Sequence, residues 1–300
     1  MLTFFSRWTN SPARSARLGL CTVLCIFSCV VSWIASTSMA QAAPDSELIA
    51  QWNRADANNT QRIDHSLWQN ILADYVVRDE LSDINLVDYA ALQGDRSGID
   101  AYVAQLGVID PRDYALAEQQ AYWINLYNAA TVQLILDNLP VESITDIKDG
   151  FFSFGPWDKE WIKVAGATIS LNDIEHGILR PIWQDERIHY AVNCASFGCP
   201  NLSLTAFTAE NTEALLTQSA KDFVNHQRGL SIQGNKLIFS SIYHWYKVDF
   251  GDSNQGLLKH WQQYANAELA AQLATIETAL QAKQSIRFDH QYDWQLNEAD

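Results

Sequence analysis

The chain has 300 residues, of which 35 are acidic and 20 are Lys or Arg, so its formal net charge is −15 at pH 7. That length is sufficient for one large domain with a full hydrophobic core. Because the negative charge would repel phosphate backbones, we expect no nucleic-acid partner.

The first 42 residues have the layout of a secretory signal peptide. Arg7, Arg14 and Arg17 form a basic start, followed by the apolar run "LGLCTVLCIFSCVVSWIA" and the small residues "STSMAQAAP". This order predicts cleavage after Ala40 or Ala42 and a periplasmic or secreted mature protein. If the segment is not cleaved, the apolar run would instead anchor the protein in a membrane.

Residues 43–78 are predicted to form an N-terminal helical pair, in "DSELIAQWNRA" and "HSLWQNILADYVV". The link between the two helices resembles a calcium-binding loop. However, Gln61 stands where such a loop needs glycine, and Leu67 stands where it needs a bidentate glutamate. We therefore predict a capped turn between helices rather than a calcium site.

The remainder, residues 79–297, is predicted to be a single α+β domain. The segment "EQQAYWINLYNAATVQLILDNL" is apolar almost all round, which predicts a central buried helix. Hairpins are predicted in "GFFSFGPWDKEWIKVAGATISL" and at Gly234-Asn235, a strand in "RIHYAVNCA", and a helical pair over 254–283. Because helices and hairpins alternate without a βαβ order, we expect the central helix to pack on a small, mostly antiparallel sheet.

Two cysteines, Cys194 and Cys199, remain after the predicted cleavage, and they share the turn "NCASFGCP". In an exported chain this spacing predicts a disulfide. A zinc site would need two more ligands, and His189 and His176 complete no common zinc spacing. A nucleophilic Cys194 would need a nearby base, and a redox role would usually show a shorter gap between the cysteines. We predict the disulfide, and we expect neither a metal nor a cofactor.

The candidate catalytic residues are polar side chains in otherwise apolar segments. They are His189, His176, Glu175, Asp249 and Asn125, the last with Asn128 beside it on the central helix. Imidazole titrates near neutral pH, so either histidine is a candidate general base, with one of the carboxylates to orient it. Asn125 would position the substrate or stabilise an oxyanion. Each side chain also has a structural explanation, because buried histidines and amides usually bond to backbone groups.

Large aromatic residues gather in two stretches, "FFSFGPWDKEW" and "IYHWYKVDF". Trp157 and Trp161 lie in the first stretch, and Tyr243 and Trp245 lie in the second. Such rings can line a groove that binds a glycan or a peptide. Core packing is the alternative, because large aromatics are usually well buried.

Five strings in this order carry a resemblance to a known family: "AYWINLYNA", "SLNDIEHGILR", "HYAVNCASFGCP", "WYKVDFG" and "YDWQLN". Over roughly residues 75–297 the chain resembles bacterial exported members of the family known as domain of unknown function 547. As its name states, the family implies no assigned activity. A core helix bearing Asn beside a strand bearing His is also similar to papain and transglutaminase architectures, by fold analogy alone.

Two classes of function follow. The first is a ligand-binding domain of the cell envelope, whose partner is a peptide, a glycan or an envelope protein. The second is a hydrolase that acts on an amide or glycan bond with a His-centred site. The hydrolase predicts that His189 and Asn125 meet in one cleft, whereas the binding domain predicts that both are buried and fully bonded.

Overall fold

The computed structural model describes residues 45–148, 150 and 154–299. The predicted signal peptide, residues 1–42, lies outside the described residues. Within the ranges that are described, no helix is both long enough and apolar enough to cross a membrane.

The secondary structure mixes helices with short strands. The helices are α1 Ser66–Tyr75, α2 Tyr89–Gly94, α3 Ser97–Val108, α4 Leu116–Asn138, α5 Arg180–Trp183, α6 Thr212–Asn225, α7 Ser241–Trp245, α8 Asn254–Tyr264 and α9 Ala267–Gln281. The strands are β1 Val76–Arg78, β2 Asn85–Val87, β3 Ile162–Val164, β4 Ala167–Ile169, β5 Leu230–Gln233, β6 Lys236–Ser240 and β7 Arg287–Gln291. A π-helix, Asp173–Leu179, runs directly into α5, and a 3-10 helix spans Glu186–Tyr190. This content confirms the α+β class.

Helix α4 is the centre of the fold, as predicted. Its Tyr122, Trp123, Ile124 and Leu126 are completely buried, although they point in different directions around the helix. The main neighbours of α4 are other helices, namely α3 and the π-helix. Apolar residues on all faces of α4 are therefore explained by a surrounding layer of helices rather than by one underlying sheet.

The strands form three small sheets within the described residues, not one. The β1–β2 and β3–β4 pairs are antiparallel, and β6 pairs antiparallel with β5 and parallel with β7. The hairpin predicted at Gly234-Asn235 is confirmed. Gly234 has a φ of +62°, a conformation that glycine adopts without steric cost.

The N-terminal segment differs from the predicted helical pair. Helix α1 forms, but "DSELIAQWNRA" contains only the 3-10 turn Ala50–Trp52. The N–H groups of Glu47 and Ile49 donate to the carbonyls of His176 and Gly177, at 3.2 and 2.9 Å. The chain therefore runs alongside the π-helix and cannot use these N–H groups for a helix of its own.

The strand predicted in "RIHYAVNCA" is wrong, because this segment begins with the 3-10 helix Glu186–Tyr190. The Asp185 carboxylate accepts the N–H of Arg187 at 2.9 Å and also bonds to the Arg187 guanidinium. This local cap starts a helical turn in a segment whose apolar residues alternate as they would in a strand. The correction matters because this turn carries His189.

Candidate functional site

His189 lies on that 3-10 helix between two carboxylates. Its Nε2 donates to Asp249 Oδ2 at 2.7 Å, and its Nδ1 lies 3.3 Å from Glu175 Oε1. The Nδ1 contact is an ion pair without the geometry of a hydrogen bond. The Tyr246 ring stacks on the imidazole, with 4.1 Å between ring centroids. Its side chain is only 2 % exposed, so the imidazole is almost completely enclosed by the protein.

Arg180 extends this arrangement into a chain of alternating charges. Its Nε donates to Asp249 Oδ2 at 2.7 Å, and its Nη2 donates to Asp249 Oδ1 at 3.1 Å. Its Nη1 donates to His176 Nδ1 at 3.2 Å. The guanidinium also lies over the Tyr246 ring, 5.1 Å from the centroid. We call Glu175, His176, Arg180, His189, Tyr246 and Asp249 the charge network.

The pKa shifts in the charge network follow from these contacts. Burial would raise the pKa of Glu175, but the neighbouring His176 and His189 outweigh it and lower the pKa to about 2. Burial would lower the pKa of His189, but Asp249 and Glu175 outweigh it and raise the pKa above its ordinary value. The pKa of Asp249 is lowered, because His189 and Arg180 overcome the effect of burial. The network thus favours an imidazolium held between two carboxylates.

Asn125 lies outside the charge network. Its Nδ2 donates to the Phe207 carbonyl at 2.8 Å, and its Oδ1 accepts the Phe207 N–H at 3.0 Å. Asn128 bonds in the same way to the Ala191 carbonyl and the Asn193 N–H, at 2.9 and 2.8 Å. The structural explanation therefore accounts for both amides. The structure brings four of the predicted catalytic residues together, and it leaves Asn125 out.

Cys194 and Cys199 are free thiols, so the predicted disulfide is not formed. Cys199 Sγ accepts the N–H of Cys194 at 2.9 Å, and Cys194 Sγ lies 2.9 Å from Tyr292 Oη. The turn is fixed instead by the C-terminal segment, because Gly198 donates its N–H to the Asp293 carbonyl at 2.8 Å. A Cβ at Gly198 would lie 2.8 Å from backbone atoms of Asp293, so this approach requires glycine.

The two thiols have different environments. Cys199 is 2 % exposed, whereas Cys194 is half-buried. Burial raises the pKa of the Cys194 thiol well above its ordinary value. Burial would also raise the pKa of Cys199, but hydrogen bonds from Cys194 and Tyr292 outweigh it and lower the pKa. Cys194 is therefore the more accessible thiol but not an activated nucleophile.

Two of the four predicted binding aromatics, Trp157 and Trp245, belong to one cluster. It also contains Phe154, Tyr292 and Trp294, and we call these five residues the aromatic cluster. Trp294 is its centre, with its ring centroid 5.4 Å from Phe154, 5.6 Å from Trp157, 5.6 Å from Trp245 and 4.4 Å from Tyr292. Phe154 is 46 % exposed, and the other four are half-buried.

The other two predicted binding aromatics do not reach this cluster. Tyr243 is completely buried in the core formed by α6, α8 and the three-stranded sheet, and Trp161 packs against the main core. Sequence reasoning missed Tyr292 and Trp294 as binding residues, although the string "YDWQLN" contains both of them. Their spacing of two residues was a usable signal, because alternate residues of an extended segment share one face.

The aromatic cluster meets both the thiols and the charge network. The Tyr292 hydroxyl contacts Cys194, and the Tyr292 ring lies 4.8 Å from that of Trp245. Trp245 precedes Tyr246 of the charge network at the end of α7. In the described part of the chain, no group of three or more His, Cys, Asp or Glu side chains is placed to hold a metal ion.

The middle of the chain matches a known family. Residues 111–224 match the model described as "Protein of unknown function, DUF547". The resemblance seen in the sequence is confirmed over this stretch. The matched stretch contains α4, the π-helix, His189 and both thiols, whereas Asp249 and the C-terminal aromatics lie beyond it. No curated protein and no solved structure matches the chain. The family description assigns no activity.

Proposed function

We propose that the protein binds a neutral glycan chain on its aromatic cluster. The observation that carries this proposal is the contiguous contact of five large rings, of which one is exposed and four are half-buried. The rings run from Phe154 through Trp294 to Trp245, and none of them is fully buried. Four of the five rings pack against the core, but they keep part of their surface exposed, whereas core aromatics such as Trp123 and Trp261 are completely buried. Contiguous exposed apolar surface marks binding sites.

The surroundings of the cluster favour a neutral ligand that carries hydroxyl groups. Asp158, Asp293 and Gln295 are exposed beside the cluster residues in the chain. Carboxylates and amides accept or donate hydrogen bonds to hydroxyls, while the flat rings pack on the apolar faces of sugar rings. The formal charge of −15 disfavours an anionic ligand.

In this proposal the charge network holds the aromatic cluster in position. Asp249, bonded to both His189 and Arg180, fixes the turn that follows Trp245 and Tyr246. We prefer binding to hydrolysis by a His-centred site, because each ring nitrogen of His189 already faces a carboxylate. A general base needs a free nitrogen within reach of the substrate. The layout of residues 1–42 supports placing this binding activity in the cell envelope.

The test is a titration of the protein with chitotetraose, the neutral tetramer of N-acetylglucosamine, followed by tryptophan fluorescence and calorimetry. We expect saturable binding that Trp294→Ala weakens by at least about tenfold, as removal of a central aromatic contact does. Trp183→Ala is the matched control, because Trp183 is half-buried and packs against the main core as Trp294 does, but it is not a member of the aromatic cluster. Equal affinities for the two variants, or tighter binding of tetra-alanine peptide than of the glycan, would refute the proposal.

A further inference from the structure

A polar cleft of about 450 Å³ lies apart from the residues of the aromatic cluster and the charge network. It is lined by the C-terminal half of α6 with the turn after it, by the β1–β2 turn, and by the connection between α8 and α9. This volume is within the range of small-molecule sites. Five side chains in its lining carry formal charges, namely Arg78, Lys221, Arg228, Asp83 and Asp222. There is a surplus of one positive charge, in a protein that is strongly acidic overall.

Most of these charges already have partners. Asp83 accepts from two nitrogens of Arg78, at 3.1 and 2.9 Å. Asp222 accepts from Gln218 at 2.7 Å. His226 adds no charge, because its Nε2 donates to the Ser82 carbonyl and its Nδ1 accepts the N–H of Arg228. Burial also lowers the pKa of His226, which favours the neutral ring.

Arg228 is the half-buried cation of the cleft, and its guanidinium lies over the Phe223 ring, 5.6 Å from the centroid. It donates to the Phe197 carbonyl at 2.8 Å and to Asn201 Oδ1 at 2.6 Å, both of which are neutral oxygens. Among the described residues no carboxylate lies within 4.0 Å of it, and its Nε is buried without a partner. Burial lowers the pKa of Arg228 to about 10, so the group remains charged at neutral pH. A guanidinium has five N–H donors, and removing a cation even partly from water is costly without a counter-ion.

Lys221 is the second cation, on the exposed side of α6. Its ammonium has no carboxylate within 4.0 Å in the part of the chain that the structure describes. Lys221 and Arg228 therefore line one cleft with two positive charges that no carboxylate neutralises. The nearby Asp83 and Asp222 limit the charge that a ligand can bring, which favours a monoanion over a dianion.

We propose that this cleft binds a small molecule through a carboxylate group, with Arg228 and Lys221 as the cations that recognise it. A carboxylate matches the planar donor set of arginine. The site is independent of the aromatic cluster, so the two proposals fail or succeed separately. Arg228 also bonds to the turn that carries both cysteines, and an occupied cleft would hold that turn in place through Phe197.

The experiment measures the Tm of the full protein while sodium acetate replaces sodium chloride at constant ionic strength and pH 7. We expect a saturable rise in Tm with acetate that chloride does not give, because a ligand that binds the folded state stabilises it. Lys221→Gln should weaken the apparent affinity by about fivefold or more. Lys259→Gln is the matched control, because Lys259 is an exposed lysine on α8 outside the cleft.

Two results would overturn the proposal. The first is an equal response of Lys221→Gln and Lys259→Gln, which would show that acetate acts elsewhere. The second is tighter binding of inorganic phosphate than of acetate in a parallel titration, which would make the ligand class wrong. Arg228→Lys, which keeps the charge but loses the planar fork, should weaken acetate binding if it folds. If Arg228→Lys does not fold, the comparison of Lys221→Gln with Lys259→Gln decides the question.

Discussion

Asp249 holds His189 and Arg180 at the same time, with one oxygen 2.7 Å from each of them. The three residues come from separate segments of the chain, so this carboxylate joins the turn after α7 to the start of α5 and to the 3-10 helix that carries His189. Its side chain is 22 % exposed, whereas those of His189 and Arg180 are 2 % and 4 % exposed. Two buried cationic groups thus share one partly accessible anion, and Glu175 faces the other ring nitrogen of His189.

We predict that Asp249→Asn lowers the free energy of unfolding by about 2–3 kcal/mol. The change leaves His189 and Arg180 without their shared charge. The loss is below the full cost of breaking a buried pair, because solvent reaches Asp249. Urea denaturation measures the effect. Asp113→Asn is the control, because its pair with Arg54 is 66 % and 64 % exposed, and it should change stability by no more than about 0.5 kcal/mol.

The charge network also predicts how stability depends on acid pH. The pKa of Glu175 is lowered from 4.5 to about 2, so its contribution to stability is present above pH 4.5 and is lost as the pH falls toward 2. We expect the stability difference between wild type and Glu175→Gln to shrink by up to about 3 kcal/mol across this window. Urea unfolding at a series of pH values measures it. A stability difference between wild type and Glu175→Gln that does not change with pH would contradict the lowered pKa of Glu175.

The alkaline side of the same prediction depends on His189. Its pKa is raised above 6.5, so its contribution is fully present below pH 6.5 and is lost as the pH rises through the raised value. The imidazole signals of His189 in an NMR titration should therefore show a midpoint above 6.5. A midpoint below 6.5 would mean that burial outweighs the two carboxylates.

Local pattern allowed much of the helical structure to be predicted. The buried character of α4, the hairpin at Gly234 and the pair α8–α9 depend on neighbouring residues, and all three are confirmed. The turn at Glu186–Tyr190 could not be predicted in this way. Its alternating apolar residues are typical of a strand, but the Asp185 cap and the ion pair of Arg187 with Glu213 select a helical turn. The second of these contacts joins distant parts of the chain.

The site shows the same division. Residue chemistry alone pointed to His189, Glu175 and Asp249, and the fold does bring them together. What each one does there depends on orientation. That both ring nitrogens of His189 face carboxylates follows from how three segments pack, and single-sequence spacing contains no information about this. Of the aromatic cluster, the sequence indicated Trp157 and Trp245. That Trp294 joins them could not be predicted, because it does so only where the C-terminal segment crosses the cysteine turn.

Asn128 offers a test of the structural explanation for the amides of α4. Asn128→Leu would leave the Ala191 carbonyl and the Asn193 N–H without their partners in a buried place. We expect a loss of about 3 kcal/mol in the free energy of unfolding. Asn138→Leu is the matched control on the same helix, because Asn138 is exposed and its side chain donates to the Leu134 carbonyl of its own helix. It should stay within about 0.5 kcal/mol of wild type.

The state of the two cysteines can be read from the intact mass of the protein after alkylation. Both thiols are free, so denatured protein should gain one alkyl group at each of Cys194 and Cys199 without any reductant. Native protein should react slowly and only at Cys194, because Cys199 is buried and burial raises the pKa of Cys194. In the control, Cys199→Ser should remove the group gained on denaturation and leave the native reaction unchanged. If no thiol reacted without reductant, the cysteines would be bonded to each other, and the hydrogen-bonded turn described above would be the wrong explanation of this loop.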